Sequence, residues 1–425
     1  MKIQERTVSK FEIYFSVLSM IFFSGAILPM IQAITTSQAN DSNLTMDANE
    51  GNVYIQYVFI GVYFITLILI FSKNRRLKEV FKGDLSIKFL FLMIIMSIAW
   101  SQFPMITTRR IVGIFGTTLF GYYLSSRFSL ESNLKIFARA CFIMAILSLA
   151  TAVVYPKFGI MTGEHQGRLR GVFLHKNTLG GIMCLYSICA FSLAMLTKQN
   201  KYLLHIVLAT VLIILAQSAG SLVVVVSLMV FGYLLRIIRI PLQGLFSILA
   251  ILLAIFIMSY FYIYNNYDVV LQVLGRDATL TGRTLLWAEL AKWVDKSPLL
   301  GYGFGGFWTG DIGISSIVIK KIGWAAPHAH NGFLNLTLEL GYVGLALFLI
   351  CYLSNFYSYL LNCMVNQQLI YSWGILFFSL LLIYNMDECT ILRANQIYWV
   401  LFIYTISFYR KLKDQPQTNF TLVAS

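Results

Sequence analysis

VYIQYVFIGVYFITLILIF, residues 53–71, is a run of nineteen residues without a single charge. Its length falls inside the roughly 17–25 residues a helix needs to cross a hydrocarbon core. The connection before it, Thr35–Asn52, holds neither lysine nor arginine, whereas Lys73, Arg75, Arg76, Lys78 and Lys82 crowd the one after it. Positive charge marks the cytoplasmic side of a membrane chain. This run therefore reads as a span whose start faces outward and whose end faces the cytoplasm.

The same pattern recurs along the whole chain, which is 58% hydrophobic and only 12% charged, against about 25% charged in soluble domains. Length and punctuation place about twelve transmembrane helices at 11–34, 53–71, 85–101, 105–124, 134–155, 177–196, 202–217, 220–236, 240–263, 331–353, 369–386 and 396–409. The fold class is an all-α polytopic membrane protein. Residues 1–425 form one integral membrane domain, with a large extracytoplasmic loop, 264–330, between the ninth and tenth spans. The seventh and eighth spans are short enough to be re-entrant. The first follows Lys2, Arg6 and Lys10 but is too long for a signal peptide, so it reads as a retained span. Arg236 and Arg239 near the eighth span and Arg410, Lys411 and Lys413 after the last repeat the orientation, which puts both termini in the cytoplasm. The net charge of +14 is then topology, not a footprint for nucleic acid. Six cysteines at no metal or disulfide spacing read as small hydrophobes. No repeat at fixed period is visible, which weighs against a carrier built from repeats.

Two outward segments carry cations that orientation does not require, and such an excess asks for an anionic ligand. In PKFGIMTGEHQGRLRGVFLHKN, Arg168 and Arg170 precede His175, Lys176 and Asn177 at the start of a span. Arginine forks fit phosphate oxygens, and a helix beginning near Asn177 would add backbone N–H groups. The alternative is interfacial anchoring by snorkelling side chains. Arg109 and Arg110, at the outer start of the fourth span, face the same two readings.

In the long loop, TGRTLLWAELAKWVDK (281–296) has the spacing of an interfacial amphipathic helix that begins near Arg283. PLLGYGFGGFW (298–308) follows as a shaped loop, its aromatics either sugar platforms or an interfacial belt. AAPHAHNGFLN (325–335) closes it, with His328 and His330 sharing a face in an extended approach and Asn331 suited to a helix start. Histidine accepts and returns a proton near neutral pH. A His-x-His pair also suits a metal, yet no tight acidic cluster beyond Asp311 completes such a site, so no metal or other cofactor is expected. Glu339 is an ionisable group within a span, placed to orient His330 or an arginine, or to pair with a basic residue of another helix.

GRLRGVFLHKNTLGG (167–181), GRTLLWAELAKWVDKSPLLGYGFGGFW (282–308) and PHAHNGFLNLTLELGYVG (327–344) together resemble the O-antigen ligase-like superfamily, most closely its exopolysaccharide-polymerising branch. DECTILRANQIYWVLF (387–402) is similar to that branch's last outer loop and span. The resemblance implies a metal-independent glycosyltransferase of the bacterial cytoplasmic membrane. Its substrates would be undecaprenyl-diphosphate-linked oligosaccharide and a glycan acceptor at the outer face, with a chain-length regulator and export machinery as partners. Set on that reaction, the residues fall into roles. Arg168 and Arg170, with Lys176 and Arg283, hold the donor diphosphate, Arg170 being counted with the catalytic groups. His330 serves the acceptor hydroxyl as base, with His328 as neighbour or substitute. His175, Asn177, Asn331, Glu339, Arg109 and Arg110 complete the substrate-binding set. A ligase that moves finished glycan to lipid A core or another acceptor shares donor and motifs. A lipid-linked sugar transporter or flippase is the rival from another class, which midplane charges and broken helices would favour.

Overall fold

The computed structural model describes residues 8–35, 53–73, 85–237, 282–310, 312–366 and 369–413. The ninth span (240–263), the loop residues 264–281 with Arg276, most of the first outer connection, Arg75, Arg76, Lys78, Lys82, Arg239 and Asp311 lie outside the described residues.

The described chain is helical, its single β-bridge joining Ile160 to Leu169. The helices are α1 (Lys10–Phe23), α2 (Leu28–Thr35), α3 (Val53–Lys73), α4 (Leu85–Met96), α5 (Pro104–Arg127), α6 (Leu130–Val154), α7 (Lys176–Thr197), α8 (Lys201–Leu215), α9 (Ala219–Ile237), α10 (Arg283–Lys296), α11 (Gly313–Ile322), α12 (Gly332–Asn366), α13 (Ser372–Tyr384) and α14 (Ile397–Lys413). α3 is rich in valine, isoleucine and aromatic residues, which in water favour strands. Its 21 helical residues reflect the stronger constraint of lipid, where every backbone polar group must be satisfied within the segment. Five described helices are long and apolar enough to cross a membrane: Val53–Ser72, Leu130–Val154, Lys176–Thr197, Ala219–Arg236 and Gly332–Met364. Leu85–Ala99, Lys201–Leu215 and Ser372–Tyr384 are shorter apolar helices. The first expected span differs: it breaks between Phe23 and Leu28, where Gly25 and Ile27 take positive φ and Ile27 N–H donates to Val172 O at 3.0 Å.

α7 is the most enclosed span, with 83% of its apolar core buried against 28% for α9. It packs against α6, α8, α9 and α13, while α5 packs on α14 and α12 on α4 and α13. Helix direction follows from these contacts. The starts of α5, α7, α9, α12 and α14 share one end of the bundle with the ends of α1, α6, α8 and α13. The other end holds Arg127, Lys198, Lys201 and Arg410. There Arg127 and the fully buried Glu12 form an ion pair at 2.8 Å, and Glu12 also closes a capping box with Ser9.

A small second core sits at the first end. Leu286, Leu290 and Val294 of α10 bury against Phe307, Trp308, Val318 of α11 and Leu338 of α12. The amphipathic reading of 281–296 is thus met, with its apolar face turned into protein. Of the aromatics of 298–308, Phe304, Phe307 and Trp308 are buried and so are neither platforms nor belt, while Tyr302 is half-buried with its hydroxyl donating to Trp293 O at 2.8 Å.

That loop also breaks α12. Gly341 has φ 65° and ψ −172° inside the helix, a region open essentially to glycine alone. The loop backbone fills the break: Tyr302 N–H donates to Leu338 O at 2.9 Å, and Tyr342 N–H donates to Pro298 O at 2.7 Å. Backbone groups freed by the kink are therefore satisfied inside protein, as a buried helix break requires.

Candidate active site

The histidine turn is fixed before any substrate arrives. Asn331 caps α12, its Oδ1 accepting from Phe333 N–H at 3.1 Å and Leu334 N–H at 3.0 Å. His330 N–H donates to His328 Nδ1 at 3.1 Å. Ala329 between them is held on both sides: Trp287 Nε1–H donates to its carbonyl at 2.8 Å and its N–H donates to Asn335 Oδ1 at 3.3 Å. Asn335 in turn donates to Glu339 Oε1 at 3.0 Å, and Glu339 Oε2 accepts from Gly305 N–H at 3.1 Å. Arg110 donates to the carbonyl of the same Gly305. Glu339 and Arg110 thus anchor the glycine loop and, through Asn335, the turn carrying the histidines.

His330 sits at φ 47°, in the left-handed region that non-glycine residues rarely occupy. Its ring lies 4.3 Å from that of His328 and 5.7 Å from that of Trp324. Its Nδ1 is buried without a hydrogen-bond partner among the described residues. Burial, then Arg283 and His175, pull its pKa down to about 3, so the ring is neutral at pH 7. His328, 3% exposed, is held well below the usual histidine range by burial, then by His330, Arg393 and Arg283.

The second motif delivers His175, Lys176 and Asn177 to this turn. His175 caps α7, its Nδ1 accepting from Asn177 N–H at 3.2 Å. Burial, followed by His165 and three cations, lowers its pKa to about 4. Lys176 is buried and donates to Gln217 O at 3.4 Å. Asn177 Nδ2 donates to Glu388 Oε1 at 3.2 Å, and Glu388 Oε2 lies 4.0 Å from His328 Nε2. Burial raises the Glu388 carboxyl, against the opposing pull of Arg283, Asn177 and Lys176. Arg283, at the start of α10, forms an ion pair with Asp387.

Four named stretches therefore converge, and the starts of α7, α10, α12 and α14 meet there. Helix N-termini favour negative charge, as do the surrounding cations.

The paired arginines part company. Arg170 is 1% exposed, donates to Phe158 O and lies over the Phe158 ring at 4.6 Å, so it packs the 155–173 segment behind His175. Arg168 lies at the rim with Gln217 Oε1 at 3.1 Å and His165 Nδ1 at 3.0 Å. The two do not present one double fork, because Arg170 is held on Phe158 while Arg168 is held on Gln217 and His165. Arg109 is exposed on α5, outside the cluster.

Glu388, Asp387 and Arg393 have no role in the sequence reading, although the segment that carries them resembles a family motif. Asn335 is likewise missed; its only signal is its i,i+4 spacing from Glu339. His328, His330 and Glu388 bring one donor atom each within 4.8 Å of one another. Glu388 is the third ligand type that the sequence could not supply near the histidine pair. Arg283, Arg393 and Lys176 around it oppose a divalent cation.

A protein-family model described as O-Antigen ligase matches residues 204–349, which reach from α8 through the histidine turn into α12. The exopolysaccharide production protein ExoQ of Rhizobium meliloti (strain 1021) is 33% identical over 96 residues, 22% of either chain. A putative polysaccharide ligase, RP358 of Rickettsia prowazekii (strain Madrid E), is 35% identical over 102 residues, 21% of this chain and 25% of that protein. The chain's match thus spans about a quarter or less of each relative.

Proposed function

From its place in the O-antigen ligase-like superfamily, and from the meeting of that superfamily's motifs at one histidine turn, we propose that this integral membrane protein is a glycosyltransferase that polymerises lipid-linked glycan. The donor is an undecaprenyl-diphosphate-linked repeat unit, and the site faces outward from the bacterial cytoplasmic membrane with both termini inside. A chain-length regulator and export machinery are its proposed partners. One observation carries the reading: a neutral, half-buried His330 whose buried Nδ1 has no hydrogen-bond partner among the described residues, set beside Arg283 and His175, the latter next to Lys176.

The acceptor hydroxyl oxygen attacks the anomeric carbon and its proton passes to His330 Nδ1. The bond from that carbon to the diphosphate oxygen breaks, and its electron pair leaves with the diphosphate. Arg283 and Lys176 oppose the growing charge, with Arg168 at the rim, a role that fixed cations fill without reorganisation. Arg170 works through the Phe158 turn, and Asn331, Glu339 and Arg110 hold the turn and loop. No step calls for a metal.

The test uses purified full-length protein in detergent and lipid-diphosphate-linked oligosaccharide extracted from a strain lacking it. The wild type is expected to build a ladder of repeats, and His330→Ala to slow it by about 10²–10⁴-fold. Full activity in both His330→Ala and Arg283→Ala would move the chemistry elsewhere. No turnover without a closed vesicle would favour a carrier; against that reading, the break in α12 is filled by loop backbone.

The ligase reading is favoured by the likeness to the polysaccharide ligase RP358. It predicts long unligated polymer in a deletion strain, whereas loss of a polymerase leaves single repeats on lipid.

A further inference from the structure

A cavity of about 100 Å³ opens beside His328; its wall includes Tyr384, Glu388, Thr390, Arg393 and Gln396. It has room for several waters or one charged substituent. Its polar groups are mostly spoken for. Glu388 accepts from Asn177, Thr390 is bonded to Asn385 at 2.7 Å, and Tyr384 donates to Asn177 O at 3.2 Å.

Besides the Tyr398 hydroxyl, which has no hydrogen-bond partner among the described residues, Arg393 is the exception. Half-buried, it makes no hydrogen bond or ion pair among the described residues, and neither does the side-chain amide of Gln396. Glu339 attracts Arg393 from a distance, but both its oxygens are used by Asn335 and Gly305. A guanidinium partly withdrawn from water without hydrogen-bond acceptors is costly. The loop that presents it is nonetheless rigid. Asn385 Oδ1 accepts from Thr390 N–H at 2.8 Å before it, and Asn395 N–H donates to Thr117 Oγ1 at 2.9 Å after it. Glu388 is the one acidic group facing the space; Asn177, Arg283 and Lys176 counter its charge.

We infer that this cavity is a second anion site, in which Arg393 and Gln396 bind an oxyanion of the glycan substrates beside His328. The inference rests on the glycosyl-transfer reading for the nature of its ligand. Two sources share the chemistry: the carboxylate of an acidic sugar, and the diphosphate of a second lipid-linked glycan. A planar guanidinium fork suits either. A second cationic position beside the histidine pair also fits a reaction that joins two anionic lipid-linked chains.

Two measurements test it on the full-length protein in detergent. In the first, binding of D-glucuronate and of inorganic pyrophosphate is read by thermal shift. Arg393→Ala is expected to abolish the shift from one of them, with Gln396→Ala reducing it. Unchanged shifts in both variants, or no shift in the wild type, overturn the site. In the second, the transfer assay uses the extracted lipid-linked oligosaccharide, native and with its carboxyl groups reduced to alcohols. Arg393→Ala is expected to raise KM about tenfold or more, with Arg393→Lys recovering part of it. If carboxyl reduction raises the wild-type KM equally and adds nothing in Arg393→Ala, the ligand is an acidic sugar. If Arg393→Ala acts equally on both substrates, it is the diphosphate. An active wild type with KM unchanged in Arg393→Ala overturns the inference alone. An inactive wild type whose anion shift still requires Arg393 overturns the transfer reading and leaves the site standing.

Discussion

If His330 is the base, as proposed, the energetics of its single ring set the pH behaviour of the whole reaction. Burial and the Arg283 charge hold the free ring near pKa 3, which keeps it neutral but makes it a weak base. A bound diphosphate would offset Arg283 and raise that pKa, since an opposite charge favours the protonated form. Activity needs the neutral ring, so it falls as pH drops through the relevant pKa. The kcat profile, which reports the bound state, is therefore expected to lose activity at a higher pH than the kcat/KM profile. Coincident acid limbs would remove His330 from the base role. Chelation is a second check: with Arg283, Arg393 and Lys176 about the donor trio, EDTA is expected to leave turnover within about twofold, because cations this close repel a divalent ion. His330 was legible in the sequence as a rare residue beside a helix start. Glu388 and Arg393 were not, being ordinary charges in a loop some sixty residues further along the chain.

Among the elements, α12 does the most to connect packing with chemistry. Its glycine kink receives the 298–302 backbone, and a Cβ at Gly341 would lie 2.1 Å from Leu299 O. Gly341→Ala is expected to cost about 2–5 kcal/mol, from left-handed strain and overlap together, read as lost thermal stability in detergent. Gly61→Ala in α3, with nothing within 4 Å, should be neutral or slightly stabilising. Asn335→Ala cuts the link between Glu339 and Ala329 and is expected to lower kcat about tenfold with KM little changed, since a turn displaced by tenths of an ångström still binds but no longer aligns. Equal losses in KM and kcat would make it a packing residue only. The amphipathic pattern of α10 announced a helix. That its apolar face packs on α11, Phe307 and Trp308 depends on contacts absent from any local pattern.

Over the whole molecule, the helix directions put every segment of the candidate site at one end of the bundle and the Glu12–Arg127 pair, Lys198 and Arg410 at the other. A cysteine placed at Gly310 is expected to label from outside intact cells, and one at Lys198 only after permeabilisation; the reverse pattern would invert the proposed orientation. Stability should also respond to acid. His175, His328 and His330 are all depressed, so below about pH 6.5 the unfolded chain takes up protons that the folded site refuses. Thermal stability is then expected to fall from pH 6.5 toward pH 4, by at most about 1.4 kcal/mol per pH unit for each histidine. A His175→Gln, His330→Gln double variant should flatten that slope.

The sequence by itself determined the membrane class, most of the helix limits, the helix start at Asn331 and the grouping of His175–Asn177 with the histidine pair. The first three follow from run length, charge asymmetry and local spacing, which the chain carries within some twenty residues; the grouping follows from the resemblance of the motifs that hold those residues. Tertiary structure alone decided that Arg168 and Arg170 separate, that Glu339 serves the glycine loop, and that Glu388 and Arg393 come to His328. Each of these turns on which side chain finds an acceptor or a cavity across the bundle, and burial and partner distance are set only when distant helices pack.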